Sequence, residues 1–374
     1  MCLLALEQQI KISVFAPPCA GLFLHWCFLC SCQMMRVILQ VTRKLAKEGR
    51  FVKIAVLDDY QNVVKKLSCF PILNAHVVHI FNDTFTNTDD LVANLKDFDV
   101  LFLIRERTVI TEELLSRLPN LNLISQTGKV SNHIDAKLCH QYGVAVSEGV
   151  GSPVAPSELC WGLIMAASRH SPAYADNFSK GLWQQSGTLG LGRVLNGSVL
   201  GIWGYGKIGQ RIAQYAKVFG MKVLVWGSET SRMLAQEHGF SAAQSKAEFF
   251  QTADIISLHL RLHEATTACV TRDDLAQMKS DALFVNISRA ELVESGALYH
   301  EMLSSPSKRA AVDVFETEPA NLDNVPLLSL PNVLCTPHIG YVEKSSYELY
   351  FKIAFESVVA FADGKAVNLI RNSS

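Results

Sequence analysis

Val199-Leu-Gly-Ile-Trp-Gly-Tyr-Gly-Lys-Ile-Gly-Gln-Arg211 is an apolar run that breaks at Gly204, Gly206 and Gly209 and resumes as Ile212, Ala213, Tyr215 and Ala216 at helical spacing. The pattern reads as strand, tight turn, helix. Each glycine of a G-x-G-x-x-G turn answers a separate demand. Gly204 allows the turn, Gly206 lets backbone come close to a pyrophosphate, and Gly209 lets the helix pack tightly on the strand. The helix start then presents free N–H groups and the positive end of the helix dipole to phosphates. Gly220-Met-Lys-Val-Leu-Val-Trp226 supplies the second strand of a βαβ unit, so the stretch predicts a Rossmann dinucleotide site.

The surrounding chain of 374 residues, 49% hydrophobic with a formal net charge of −1, is long enough for two globular domains. Its charge balance predicts no polyanionic partner and hence no nucleic-acid binding. Five cysteines fall within the first 32 residues and the other five are scattered singly, which reads as reduced thiols in a cytoplasmic setting. Residues 1–52 differ from the rest. An apolar run over 13–35 is interrupted by Pro17-Pro18 and followed by a basic stretch. Its length approaches that of a membrane span. The paired prolines, the internal His25 and the cysteine density favour an extension outside the fold, and residues 53–374 predict no membrane segment. Cys27-Phe-Leu-Cys30-Ser-Cys32 lacks a second ligand cluster, so no metal site is expected.

From Lys53 the pattern alternates. Strands are predicted at 53–57, 75–81, 100–104, 121–125 and 144–146, with helical stretches at 63–67, 90–95 and from Thr111, whose hydroxyl suits a cap. This reads as a parallel α/β domain. Arg105-Glu-Arg107-Thr108 stands where one strand ends, the place where open α/β sheets bind ligands, so an arginine there suits an anion. In the loop Gln126-Thr-Gly-Lys-Val-Ser-Asn-His-Ile-Asp135, Gly128 allows backbone N–H groups to converge on a carboxylate and Lys129 adds charge. Residues 149–156 read as a linker. Residues 157–167 form a helix apolar almost all round, which must be buried between domains or subunits.

The second domain continues with strands at 253–260, 282–287, 310–314 and 333–335. A carboxylate for the ribose 2′-hydroxyl is missing after Trp226-Gly227. Glu229 supplies one from the loop for NAD, or Ser228, Ser231 and Arg232 hold the 2′-phosphate of NADP; the choice stays open, with NAD preferred. Arg289, Glu318 and His338 lie at successive strand ends. A guanidinium grips a carboxylate, an imidazole exchanges protons near neutral pH, and an adjacent carboxylate stabilises its charged form.

These motifs, Leu200-Gly-Ile-Trp-Gly-Tyr-Gly-Lys-Ile-Gly209, Asn286-Ile-Ser-Arg289, Ala311-Val-Asp-Val-Phe-Glu-Thr-Glu-Pro319 and Thr336-Pro-His-Ile-Gly340, occur in order, with 29 residues from Arg289 to Glu318 and 20 from there to His338. From about Lys53 onward the chain resembles the D-isomer-specific 2-hydroxyacid dehydrogenases. The resemblance implies Arg289 as the substrate-carboxylate ligand, His338 as the acid/base and Glu318 as its partner. It implies a cofactor site of Gly204, Tyr205, Gly206, Lys207, Ile208, Gly209, Ser228, His259, Ile287, Ser288, Asp313 and Gly340, and substrate contacts from Arg105, Gly128, Lys129 and Val130. It further implies two doubly wound parallel-sheet domains. A dinucleotide-binding domain over 153–340 is inserted into a flavodoxin-like substrate domain of 53–152 plus 341–374, in a homodimer. Ala290, in place of a common glycine, and Tyr341 depart from the family pattern and place bulk at the substrate pocket.

The expected activity is hydride transfer between NAD(P)H and a small 2-keto or 2-hydroxy acid. A rival keeps the same residues in a dinucleotide-sensing, corepressor-like protein without turnover, which an assay with 2-keto acids separates. A formate dehydrogenase would carry an amide in place of Glu318.

Overall fold

The computed structural model describes residues 51–365 and 368–370. The extension expected over 1–52, with its apolar run and cysteine cluster, lies outside them except for its last two residues. Of these, Val52 is buried in the first core, so the fold begins before Lys53.

Strands β1 (Lys53–Val56), β2 (Val77–Ile80), β3 (Val100–Leu103), β4 (Leu123–Gln126) and β5 (Ala145–Glu148) pair in parallel in the order β2-β1-β3-β4-β5. Helices α1 (Thr88–Leu95), α2 (Glu112–Ser116) and α3 (Ala136–Gln141) connect them. β3 and β4 are buried along their whole length because both faces of the sheet are covered. Leu101, Leu103 and Ile124 face Leu114, Leu115 and Cys139, while Val100, Phe102 and Leu123 face the opposite core. Thr111 caps α2, its hydroxyl accepting from the Leu114 N–H at 3.2 Å. The helical stretch expected at 63–67 is only a 3₁₀ turn at Val64–Lys66, tied down by Asp59, which accepts from the N–H groups of Val63 and Val64.

Helices α4 (Val154–Arg169) and α5 (Ser171–Ser179) lead to the second sheet. The helix expected over 157–167 starts earlier, inside the segment read as a linker, because Pro156 falls in its first turn, where no backbone N–H is required. Its inner face, Cys160, Leu163, Ile164 and Ala167, is buried against the second core, while Trp161 is half-buried against Tyr215 and Phe219.

The second sheet contains β6 (Val199–Trp203), β7 (Lys222–Trp226), β8 (Ser241–Ala242), β9 (Ile255–Leu258), β10 (Leu283–Asn286), β11 (Arg309–Val312) and β12 (Val333–Cys335). All pair in parallel, in the order β12-β11-β10-β9-β6-β7-β8. From β8 inward this is the doubly wound order, with its reversal between β6 and β9. The intervening helices are α6 (Lys207–Val218), α7 (Glu229–Glu237), α8 (Lys246–Thr252), α9 (Arg272–Ala276) and α10 (Ala297–Ser304). Two parallel-sheet α/β domains therefore stand with the carboxyl ends of their strands towards one cleft.

The last helix, α11 (Lys344–Ala362), returns to the first sheet. Tyr347, Phe351, Ala354, Phe355 and Val358 cover it, and the Ser125 hydroxyl donates to the Ala354 carbonyl at 3.2 Å. Phe355 is fully buried, its ring 4.9 Å from that of Phe102 and 5.6 Å from that of Phe351. Phe355→Ala should cost about 3–5 kcal/mol of stability. Urea denaturation followed by circular dichroism checks this, and an unmoved midpoint would show that α11 does not hold the first core together.

Candidate active site

A cleft of about 300 Å³ lies between the two sheets, lined among others by Tyr60, Arg105, Arg107, Glu318, His338 and Tyr341. Its residues come from loops that follow strands, the position that the parallel topology leaves open to ligands.

His338 follows β12 with φ 50°, a left-handed conformation uncommon for a residue with a Cβ. Asp313, fully buried at the end of β11, holds it there. The Asp313 carboxylate accepts from Thr336 Oγ1 at 2.6 Å, from the Ile339 N–H at 2.8 Å and from the Gly340 N–H at 2.9 Å. Burial pushes the Asp313 carboxyl above its ordinary range, although these donors oppose the shift. His338 Nδ1 then donates to Glu318 Oε2 at 2.7 Å, and Glu318 is itself fixed by the Phe315 N–H, 3.0 Å from Oε1. With Nδ1 so held, Nε2 is the nitrogen left for proton exchange.

Arg289 follows β10. The turn carrying it is built by Asn286, whose Oδ1 accepts from the Ser288 N–H at 2.9 Å and whose Nδ2 donates to the Arg289 carbonyl at 2.8 Å. Ser288 Oγ donates to the Leu258 carbonyl at 2.9 Å, and the adjoining Ile287 is buried in the second core. The guanidinium reaches across the cleft. Its Nη2 lies 2.7 Å from Glu106 Oε1, and its Nη1 donates to the Ser288 carbonyl at 2.6 Å.

Arg105 also has a left-handed backbone, φ 59°, fixed by a 3.1 Å bond from its N–H to Thr127 Oγ1. Gly128, expected to let backbone N–H groups converge on a carboxylate, also lies under the Arg105 side chain. A Cβ on it would stand 1.9 Å from Arg105 Nη1, so glycine is what lets the guanidinium lie against the backbone. Lys129 is exposed and paired with Glu148, which also accepts from the Val130 N–H at 3.3 Å. Of the expected substrate contacts, Arg105 lines the cleft, and Lys129 and Val130 are turned to Glu148.

Pattern reading passed over Glu106 and His133. Burial works to raise the Glu106 carboxyl, but Arg105 and Arg289 hold it below the usual carboxylate range. His133 is buried in the loop after β4, and burial pushes it down to about 4. No local pattern reveals the pair between Glu106 and Arg289, because 183 residues separate them. Tyr341 does line the cleft, its ring 5.9 Å from that of His338, whereas Ala290 lines a separate pocket beside α10.

On the side of the second sheet, the glycine turn has the form a pyrophosphate requires. Gly204 has φ 99°, and a Cβ there would stand 2.5 Å from the His259 carbonyl oxygen. On Gly209 a Cβ would meet the Gly204 carbonyl oxygen at 2.2 Å, while a Cβ on Gly206 would project into open space. That open face, at the start of α6, fits a dinucleotide phosphate. Lys207 is exposed and Ile208 half-buried at this helix start. Tyr205 points inward, its hydroxyl 3.0 Å from His238 Nδ1. His259 keeps Nδ1 without a hydrogen-bond partner and shares Nε2 with the Ser257 hydroxyl at 2.9 Å; burial lowers it to about 3. At the end of β7, Ser228 caps α7 by accepting from the Ser231 N–H, Glu229 opens that helix, and the Arg232 guanidinium stands 5.1 Å from the Trp226 ring centroid. Among the described residues no cluster of His, Cys, Asp and Glu could hold a metal ion, and no helix is long and apolar enough to cross a membrane.

Residues 161–340 match the family profile described as D-isomer specific 2-hydroxyacid dehydrogenase, NAD binding domain. The chain is similar to the solved structure of a phosphoglycerate oxidoreductase from Vibrio cholerae, with 64% identity and a TM-score of 0.83, covering 84% of this chain and 100% of that one. It is 33% identical to the glyoxylate reductase of Aeropyrum pernix over 285 residues, 74% of this chain and 84% of the relative. It is 31% identical to the D-3-phosphoglycerate dehydrogenase of Methanocaldococcus jannaschii over 76% of this chain, but spans only about half, 53%, of that relative's length. With glycine turn, arginine and Glu–His pair at the strand ends described above, the chain belongs to the D-isomer specific 2-hydroxyacid dehydrogenases.

Proposed function

We propose that this chain catalyses hydride transfer between NAD(H) and a small 2-keto or 2-hydroxy acid. The observation that carries this reading is the 2.7 Å bond from His338 Nδ1 to Glu318, in the cleft into which Arg289 reaches from the other strand end. The nicotinamide, when bound, supplies or accepts the hydride. Arg289 binds the substrate carboxylate through its planar fork and polarises the neighbouring C2 carbonyl. His338, as imidazolium, donates a proton from Nε2 to the C2 oxygen in reduction and takes it back in oxidation. Glu318 keeps the ring oriented and favours its charged form. Arg105 completes the substrate end. Closure of the two domains, taken as 153–340 within 53–152 plus 341–374, removes water from the reacting atoms.

The same reading assigns Gly204 to Gly209, Ser228, His259, Ile287, Ser288, Asp313 and Gly340 to the cofactor. Preference for NAD(H) is supported by Glu229, a carboxylate that opens α7 just after β7. A homodimer is supported by apolar side chains left uncovered on this chain, Trp183 at 70%, Leu191 at 88% and Val218 at 84% exposure. The free thiols among the described residues accord with a cytoplasmic setting.

The test is a spectrophotometric assay of NADH and NADPH oxidation with a panel from glyoxylate and hydroxypyruvate to larger 2-keto acids. Turnover is expected, faster with NADH. His338→Ala should lower kcat by about 10²–10⁴-fold while NADH binding, followed by fluorescence, is kept. Glu318→Gln should lower kcat with little change in KM, since the substrate touches Arg289 and not Glu318. Tight NADH binding without turnover of any keto acid would overturn the reading in favour of a dinucleotide-sensing protein.

A further inference from the structure

Glu106 has no part in the hydride-transfer scheme, yet it occupies the scheme's substrate ligand. Its side chain is 16% exposed and bridges two arginines. Oε1 lies 2.7 Å from Arg289 Nη2 and 3.5 Å from Arg105 Nη2, and Oε2 stands 3.5 Å from Arg105 Nε without making a hydrogen bond. Both arms of the Arg289 fork carry a bond, one to Glu106 and one to the Ser288 carbonyl. A substrate carboxylate brought to that guanidinium meets a fixed like charge at hydrogen-bond distance from it. Two carboxylates crowded at one cation repel strongly in a half-buried site, so one must give way.

A second observation shows where Glu106 can go. His133 is 6% exposed, and neither Nδ1 nor Nε2 has a hydrogen-bond partner. Buried polar atoms are nearly always paired, and leaving one bare is costly. Glu106 lies within electrostatic reach of this ring, together with Arg105 and Arg289. With burial holding it neutral at pH 7, the imidazole has one N–H to donate, and Glu106 Oε2 is an acceptor with nothing bound.

We propose that Glu106 is a displaceable counter-ion of Arg289, exchanged for the substrate carboxylate, and that His133 is the seat it takes when displaced. The inference rests on the function proposed above and adds a positioning residue to it. Glu106 covers the charge of Arg289 between turnovers, and every carboxylate that binds must first win the guanidinium from it. The exchange sets how tightly a 2-keto acid binds. The exchange belongs to the binding step and is complete before hydride moves, when Arg289 already holds the substrate carboxylate.

The experiment combines steady-state kinetics on glyoxylate with calorimetric titration of oxamate, an unreactive 2-keto acid analogue, into the NADH-loaded enzyme. Glu106→Gln, neutral and nearly isosteric, should lower the KM for glyoxylate and the Kd for oxamate by about tenfold, a larger change than any in kcat; a tenfold change corresponds to about 1.4 kcal/mol. His133→Ala should raise both constants, and His133→Gln, which retains a donor, should restore them towards the wild-type values. In the Glu106→Gln background His133→Ala should have no further effect, since there is no charge left to reseat. A KM and Kd that rise or stay level in Glu106→Gln would overturn the counter-ion role. An undiminished effect of His133→Ala in that background would overturn the seat. Should His133→Ala not fold, as judged by melting and NADH binding, the comparison of His133→Gln with His133→Asn, whose shorter amide should not reach Glu106 and so should raise both constants, decides the second point. Failure of the wild-type enzyme to turn over any keto acid or bind oxamate would instead strike at the proposed function itself.

Discussion

The buried Asp313 carboxylate is the fixed point of the site. It stands at the end of β11 and binds three donors of the next strand's loop, Thr336 Oγ1 and the N–H groups of Ile339 and Gly340. This one interaction does two things. It imposes the left-handed backbone of His338, a conformation costing on the order of 1–3 kcal/mol unless its surroundings enforce it. It also fixes where the chain leaves the second sheet. Tyr341 enters the core of the first sheet immediately after Gly340, and α11 follows. A Cβ on Gly340 would come 3.3 Å from Asp313 Oδ2, which explains why the small residue stands there.

Across the cleft the same device recurs at Arg105, whose φ of 59° is held by Thr127 and whose guanidinium needs the bare backbone of Gly128. Each sheet thus presents a polar side chain, His338 or Arg105, from a backbone that only its neighbours make tolerable. Side chains placed this way do not have to be ordered when a ligand arrives, because the ordering cost has already been met in folding.

Much of this was legible in the sequence because it is local. The glycine turn, the apolar strands and the residues that follow them are short patterns, and a parallel sheet puts strand ends on one side whatever the intervening helices do. The loops that carry Arg289, Glu318 and His338 are therefore legible as segments that follow strands. What stayed hidden depends on distant partners. That Arg105 lies against the bare backbone of Gly128 is one such contact, between residues on two different loops. The start of α4 was masked by Pro156, which a first turn accommodates. Glu106 stands between two arginines that suit an anion, and only the meeting of the two sheets puts it on Arg289.

Arg107 shows how the cleft keeps a positive charge after Glu106 has covered part of it. Its guanidinium lies 4.3 Å from the Tyr60 ring centroid and 5.6 Å from that of Tyr341, and Nη1 donates to the Asp58 carbonyl at 2.5 Å. Aromatic faces and a carbonyl hold the group without neutralising it, as a carboxylate would. Arg107 is thus held with no carboxylate bonded to it among the described residues, whereas Glu106 and Glu318 are bonded to Arg289 and His338. A cation so held in a half-buried cleft attracts anions from solution, because low-dielectric walls focus its field. Moving Glu106 from Arg289 to His133 leaves the net charge of the cleft unchanged and alters only which cation is bare. Attraction to the cleft and tightness of the final grip are consequently governed by different residues, Arg107 for the first and the Glu106–Arg289 pair for the second.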